Sequence, residues 1–290
     1  MTAPIAHFNG KLLPLDQISI SPLDRGFIFG DGVYEVIPVY GGMALHAREH
    51  FERLQRSMDE IQLANPHTVD EWIRVTGELL KHHPGNQAVY IQVTRGAPLK
   101  RDHVIPKDLV PTVFMMANPM SQPSKEAVEN GVACVTARDF RWEKCHIKST
   151  SLLGNVLARQ VSVEAGATET ILFRDGMLTE ASSSNVFIVK NGVVAAPPRD
   201  HLILLGVTYE LAARLAREGA MKLEIRPITE AEVRAADEIW LTSSTKEVLA
   251  VTTLDGKPVG TGKPGAIFRR MHAAYQDYKA KLAKSSTVPA

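Results

Sequence analysis

Apolar residues along the chain recur in two rhythms, and most elements lie where one rhythm gives way to the other. Within residues 46–63, Phe51, Leu54, Met58 and Ile61 fall three and four positions apart, which places them on one face of an amphipathic helix. Residues 68–82 predict a second helix, with Thr68 as its cap. Residues 87–94 alternate and are rich in β-branched side chains, so they predict a strand, and residues 109–117 predict another. Asn9-Gly10 and Gly41-Gly42 separate apolar runs as two-residue hairpin turns. Further along, residues 131–137 predict a strand, residues 147–149 the end of the next, and residues 151–166 a helix. Asp175-Gly176 and Asn191-Gly192 are again hairpin turns. A helix follows over 208–218, and a last one over 264–282 precedes a frayed tail at 283–290.

The repeated hairpins argue for largely antiparallel sheets rather than a doubly wound one, in an α/β chain of the α+β-like kind. Asn118-Pro119-Met120-Ser121-Gln122-Pro123-Ser124 has linker composition. The expected organisation is therefore two unlike domains: a smaller α/β domain over 1–117, a linker at 118–124, and a larger domain over 125–290.

Composition narrows the function classes. The formal net charge of +1 points to neither nucleic acid nor an anionic membrane. No apolar run approaches the ~20 residues of a membrane span, and Met1-Thr2-Ala3-Pro4-Ile5-Ala6-His7 lacks the basic and apolar regions of a signal peptide. Cys134 and Cys145 read as reduced thiols of a cytoplasmic protein. Gly30-Asp31-Gly32 opens like a dinucleotide fingerprint, but Glu35 occupies the position of its last glycine, and residues 260–265 lack the spacing of a P-loop. His46 and His50 stand four apart with no third ligand nearby, so no metal site is expected.

The chemistry concentrates between Lys144 and Asn185. Lys148 lies in a short extended run, Ile147-Lys148-Ser149, and Glu180 just before the serine cluster 182–184 and an apolar strand. A lysine amine forms a Schiff base with a carbonyl. A carboxylate holds a pyridine nitrogen protonated. Pyridoxal 5'-phosphate (PLP) needs one residue of each kind.

Ile147-Lys148-Ser149 ahead of Leu152-Leu153-Gly154-Asn155-Val156-Leu157-Ala158, followed by Thr179-Glu180-Ala181-Ser182-Ser183-Ser184-Asn185-Val186-Phe187, resembles the signature of the fold-type IV PLP enzymes. That family holds D-amino acid aminotransferases, branched-chain aminotransferases and aminodeoxychorismate lyases. The likeness runs from about Asn9 to about Gly265. It implies a cofactor held between the two domains, with Lys148 as the imine lysine and Glu180 at the ring nitrogen.

Other motifs acquire roles through the same resemblance. Glu49-His50-Phe51-Glu52-Arg53-Leu54 is similar to the family's Glu-His-x-x-Arg-Leu, whose arginine binds the cofactor phosphate. A planar, permanently charged fork suits that dianion. Leu204-Leu205-Gly206-Val207-Thr208 leads into a helix, whose start is a ready phosphate site. The family's Gly-Ile-Thr cups the phosphate there, and its residue matching Leu204 packs on the ring. A Thr cap accounts for the same residues structurally. The hydroxyl-rich loop Ser243-Ser244-Thr245 resembles the one that completes the cup, with Thr245, like Ser183, expected to face substrate. Tyr34, in Phe29-Gly30-Asp31-Gly32-Val33-Tyr34-Glu35, matches a substrate-pocket tyrosine and reads alternatively as a strand core aromatic.

Arg101-Asp102-His103 resembles the carboxylate trap of the D-amino acid enzymes, contributed across a homodimer interface. One extra residue separates Arg95-Gly96 from Arg101, which leaves Lys100 as a rival for the same role. These motifs imply transamination of D-amino acids such as D-alanine with a 2-oxo acid such as 2-oxoglutarate. A branched-chain L-aminotransferase, the lyase and a non-enzymatic PLP-binding protein are the alternatives.

Overall fold

Residues 3–285 are described in a computed structural model and divide into two units. The first runs to Met120 and takes in Ile147–Leu152; the second holds Ser121–His146 and the chain from Leu153 onward.

In the first unit, strands β1 (Ile5–Phe8) and β2 (Lys11–Pro14) turn at Asn9-Gly10, whose φ angles of 46° and 83° are those a type I′ turn demands. Helix α1 (Arg25–Phe29) follows, then β3 (Gly32–Tyr40), β4 (Met43–Ala44), α2 (Ala47–Glu60), α3 (Val69–Leu80), β5 (Gln87–Thr94) and β6 (Thr112–Pro119). The sheet order is β2-β1-β6-β5-β3-β4, antiparallel at every pair. Phe51, Leu54 and Met58 of α2 and Trp72 and Leu79 of α3 pack with Val33, Ile37, Val89, Ile91 and Met115 in a core excluded from water. Each such side chain contributes roughly 1.5–3 kcal/mol on burial. Thr68 and Glu71 form a reciprocal capping box that starts α3.

The second unit contains α4 (Lys125–Asn130), β7 (Val132–Arg138), α5 (Leu153–Glu164), β8 (Glu169–Arg174), β9 (Met177–Ala181), β10 (Asn185–Lys190) and β11 (Val193–Ala196). It continues with α6 (Val207–Glu218), β12 (Lys222–Ile225), α7 (Glu230–Arg234), β13 (Glu238–Ser243), β14 (Glu247–Leu254), β15 (Lys257–Pro258) and α8 (Ala266–Ser285). Among the described residues its sheet has nine strands, in the order β12-β11-β10-β13-β14-β7-β8-β9 with β15 beside β14. Strand β10 is buried on both faces. Phe187 and Val189 pack under α6 and α8 with Tyr209, Leu215, Met271 and Tyr275, while Val186 and Ile188 join Ile171, Ile239 and Leu241.

The largely antiparallel character holds, with three parallel pairs in the second sheet: β11–β12, β14–β7 and β7–β8. Two local expectations are corrected. The strand expected over 109–117 begins at Thr112 and continues to Pro119, because β5 pairs with it in full register from Thr94↔Thr112 to Gln87↔Pro119. Residues 147–149 end no strand; they make a single bridge, Ser149 to Val33. Helix α4, which is not among the expected elements, follows the expected linker and is capped by the Ser124 side chain. Helix α8 reaches Ser285, and the rest of the expected tail lies outside the described residues. No helix among the described residues is long and apolar enough to cross a membrane.

Candidate active site

In the first unit, Lys148 is held by its backbone. Its carbonyl accepts from the Tyr34 amide at 2.9 Å, and its own amide donates to the Ser57 hydroxyl at 3.1 Å. Alternation along β3 sends Tyr34 and Glu35 to opposite faces of the sheet. On the Tyr34 face, Lys148 Nζ lies 4.2 Å from the Tyr34 ring centroid, and the Tyr90 ring sits 5.7 Å from that ring. Among the described residues Lys148 forms no ion pair.

On the core face, Glu35 is fully buried and accepts from Arg53 Nε at 2.7 Å, Arg53 Nη2 at 2.8 Å and His50 Nδ1 at 2.8 Å. Burial alone would raise the Glu35 carboxyl, but the charges and hydrogen bonds of Arg53 and His50 hold it well below the usual range. Burial lowers His50 despite Glu35 beside it. Arg53, the expected phosphate ligand, is thus oriented by Glu35, a residue the sequence marked only as the break in a glycine pattern.

Arg101 and His103 lie in the exposed loop between β5 and β6. The Arg101 guanidinium carbon is 4.8 Å from the Phe29 ring centroid and the His103 ring 5.1 Å from it. Lys100, the rival, is exposed in the same loop.

In the second unit, β9 places Glu180 in a buried polar nest. Oε1 accepts from Arg141 Nη1 at 2.6 Å, and Oε2 accepts from Asn185 Nδ2 and the Leu204 amide, each at 3.1 Å. Arg141 is itself gripped by Asp139, through Nε at 3.0 Å and Nη2 at 2.9 Å, while the Thr179 hydroxyl donates to Asp139 at 2.9 Å. Desolvation pushes the Glu180 carboxyl up to about 7, against the pull of Arg141. Asp139 is drawn below the usual carboxylate range because Arg141 outweighs its burial. Arg141 therefore divides its charge between two carboxylates.

Asn185 joins Glu180 to the start of α6. Its Nδ2 also donates to the Leu204 carbonyl at 2.8 Å, and its Oδ1 accepts from the Gly206 amide at 3.2 Å. A Cβ on residue 206 would fall 2.3 Å from that Oδ1, so only glycine fits. Helix α6 starts at Val207 with Gly206 as N-cap and no side-chain cap, and Thr208 is buried in its first turn. Its first backbone N–H groups have no intrahelical partner.

The serine cluster surrounds Glu169 of β8. Ser182, Ser183 (2.8 Å) and Ser184 (3.0 Å) all donate to its carboxylate, and Lys246 Nζ approaches it at 3.1 Å. Burial pushes Glu169 up, but Lys246 and the Ser182 and Ser183 hydroxyls hold it below its ordinary range. Lys246 Nζ also donates to Ser183 at 2.9 Å, so the Ser183 hydroxyl is committed to this cluster. Ser243 ends β13 and accepts from the Lys246 amide at 3.1 Å; Ser244 and Thr245 follow in the turn. Glu169, Asp139 and Arg141 carry no local motif, and Lys246, which lies in the hydroxyl-rich run 241–247, shows no role of its own in the sequence.

These groups fit pyridoxal phosphate by their chemistry. Lys148 is an amine without a counter-ion among the described residues, Glu180 is a buried carboxylate with a raised proton affinity, and α6 has an uncapped start whose N–H groups suit a phosphate.

The family model described as Amino-transferase class IV matches residues 32–254. The D-alanine aminotransferase of Bacillus licheniformis is 40% identical over 272 residues, 93% of this chain and 95% of that protein. The D-alanine aminotransferase of a Staphylococcus epidermidis strain is 37% identical over 271 residues, 93% of this chain and 96% of that protein. Among solved structures, the Escherichia coli branched-chain amino acid aminotransferase superposes with a TM-score of 0.88 at 22% identity, covering 95% of this chain and 94% of that one. The branched-chain aminotransferase of Thermoproteus uzoniensis, solved with norvaline, superposes with a TM-score of 0.86 at 25% identity and 94% coverage of each chain.

Proposed function

The chain belongs to the class IV amino-transferases, and we propose that it is a D-amino acid aminotransferase that moves the amino group of D-alanine and similar D-amino acids to a 2-oxo acid such as 2-oxoglutarate. The observation that carries this reading is the pairing, in one chain, of an amine without a counter-ion at Lys148 and a nested carboxylate at Glu180. The long, near-complete likeness to D-alanine aminotransferases supports D-amino acids as substrates. The likeness to branched-chain enzymes is one of fold.

Pyridoxal phosphate, when bound, supplies an electron sink for the charge left at the substrate Cα. Lys148 would hold the cofactor through Nζ, and the same nitrogen would take up and return the proton of the substrate Cα. Glu180 would face the ring nitrogen and keep it protonated, with Arg141 behind it favouring the ionised carboxylate. Arg53, the Val207-Thr208 helix start, Ser243 and Ser244 would hold the phosphate, and Leu204 would pack on the ring. Tyr34, Ser183 and Thr245 line the substrate pocket. Arg101 and His103 bind the α-carboxylate, with each chain of a homodimer supplying these two residues to the other. The buried reduced thiols Cys134 and Cys145 favour the cytoplasm.

A panel of D- and L-amino acids with 2-oxoglutarate tests the proposal. D-alanine is the expected donor, yielding pyruvate and D-glutamate. Preference for L-leucine or L-valine would establish the branched-chain alternative. Pyruvate released from aminodeoxychorismate with no 2-oxo acid present would establish the lyase.

A further inference from the structure

The loop between β5 and β6 has no strand or helix of its own, and the side chains of residues 101–104 are exposed. Its two ends are nevertheless firmly tied. The Arg25 amide donates to the Gly96 carbonyl at 2.9 Å, and the Thr112 hydroxyl donates to Asp24 at 2.7 Å. Between those ends a single buried side chain carries the load. Arg25 Nη1 donates to the carbonyls of Asp102 and, at 3.3 Å, Val104, and Nη2 reaches the His103 carbonyl at 3.4 Å. Three successive carbonyls thus turn toward one guanidinium.

The guanidinium is itself immobilised. Its Nε donates to Asp31 Oδ2 at 2.7 Å, and Asp31 also accepts from Arg95 Nε at 2.8 Å and Nη2 at 2.9 Å. Arg95 in turn donates to the Gln62 carbonyl at 2.8 Å and the Ile61 carbonyl at 2.6 Å, which ties the assembly to the end of α2. One turn along α1 from Arg25, Phe29 meets the other side of the problem. Its ring lies 4.8 Å from the guanidinium carbons of both Arg25 and Arg101, and 5.1 Å from the His103 ring. Among the described residues Arg101 and His103 form no ion pair, and Phe29 is the platform on which both rest.

We propose that Arg25 and Phe29 are positioning residues for the carboxylate-binding loop: Arg25 sets its peptide planes and Phe29 its side chains, so that Arg101 and His103 meet a substrate carboxylate already oriented. This rests on the assignment of Arg101 and His103 to the α-carboxylate. Orientation matters here because an exposed arginine loses rotamer freedom on gripping a ligand, and a cation lying on an aromatic ring has lost part of it beforehand. The fork is essential at position 25, since a lysine ammonium keeps the charge beside Asp31 but cannot reach three carbonyls from a fixed plane.

The test uses the holoenzyme and four variants: Arg25→Lys, Phe29→Leu, Phe29→Tyr and Arg101→Ala. Arg25→Lys and Phe29→Leu are expected to raise KM for D-alanine about tenfold, leaving kcat within about threefold, the pattern of lost uniform binding. Trypsin is expected to cleave native Arg25→Lys and Phe29→Leu after Lys100 and Arg101 about tenfold faster than the unmutated enzyme, a reading of loop opening that is independent of turnover. Phe29→Tyr keeps the ring and should retain the unmutated KM. If Arg101→Ala raises KM while Arg25→Lys and Phe29→Leu match the unmutated enzyme in both KM and cleavage, the positioning role is overturned and the carboxylate assignment stands. If Arg101→Ala leaves KM unchanged, the carboxylate assignment falls and the positioning role with it. Should Arg25→Lys fail to fold, Phe29→Leu and its rescue by Phe29→Tyr decide alone.

Discussion

Arg141 Nη1 stands 2.6 Å from Glu180 Oε1, yet the Glu180 carboxyl is pushed up to about 7. The two facts agree because Arg141 is shared. Asp139 takes Nε and Nη2, so the attraction left for Glu180 does not offset its desolvation. A carboxylate in this state is sensitive to one more positive charge, which the ring nitrogen proposed for this site would supply.

This predicts a pH dependence in the cofactor-stripped protein. Glu180 rises from 4.5 to about 7 on folding, so between those values the folded state binds more protons than the unfolded one. Stability then falls as pH climbs through that window, by about 3 kcal/mol in total as an order of magnitude. Denaturant melts at pH 5 and pH 7 measure it. Glu180→Gln should flatten the profile; an identical slope in that variant would assign the effect elsewhere.

Lys148→Ala should leave a folded protein without the yellow colour of a covalently held cofactor and with nearly all transamination lost, since on the proposed assignment one nitrogen is both nucleophile and proton carrier. Borohydride reduction of the unmutated enzyme followed by mass mapping should place the cofactor on Lys148. Its appearance on another lysine would refute the assignment.

Arg53→Ala strips the fully buried Glu35 of its arginine and should destabilise the protein by about 3–5 kcal/mol. Arg48→Ala, on the same helix but exposed and paired with exposed Asp70, should cost no more than about 1 kcal/mol. Cofactor affinity should drop at least about tenfold in the first and not in the second, through loss of a charge-assisted bond to the phosphate. Equal affinities in the two variants would remove Arg53 from the phosphate site.

Gly206→Ala would drive a methyl group to 2.3 Å from Asn185 Oδ1. Asn185 must then move, which disturbs its bonds to Glu180, the Leu204 carbonyl and the Gly206 amide. Titration of the cofactor-stripped variant with pyridoxal phosphate should show about tenfold weaker binding. Unchanged affinity would mean that the link through Asn185 carries no weight.

What the sequence by itself determined is local. The turns at Asn9-Gly10 and Asp175-Gly176, the capping box of Thr68 and Glu71, and the apolar face of α2 depend on residues within a turn of one another. Such features stay legible wherever the segment ends up. Lys148, Glu180 and the Gly206-Val207-Thr208 helix start are short runs that stand out through their resemblance to a family's motifs, and local sequence alone leaves a Thr cap as another reading of the last. What only the tertiary structure decided is how each charge is compensated. Glu35 meets Arg53 from another element, Arg141 comes to Glu180 from 39 positions away, and Lys246 reaches Glu169 across 77. The parallel pairings of β7 with β8 and β14, and the holding of residues 147–149 by a single bridge to β3 and a bond to Ser57 rather than as the end of a strand, have the same origin. A buried ionised group must find an opposite charge or donors, and the chain supplies them from whichever segment packs alongside. That choice is made by burial and not by spacing, which is why no periodicity foreshadows it.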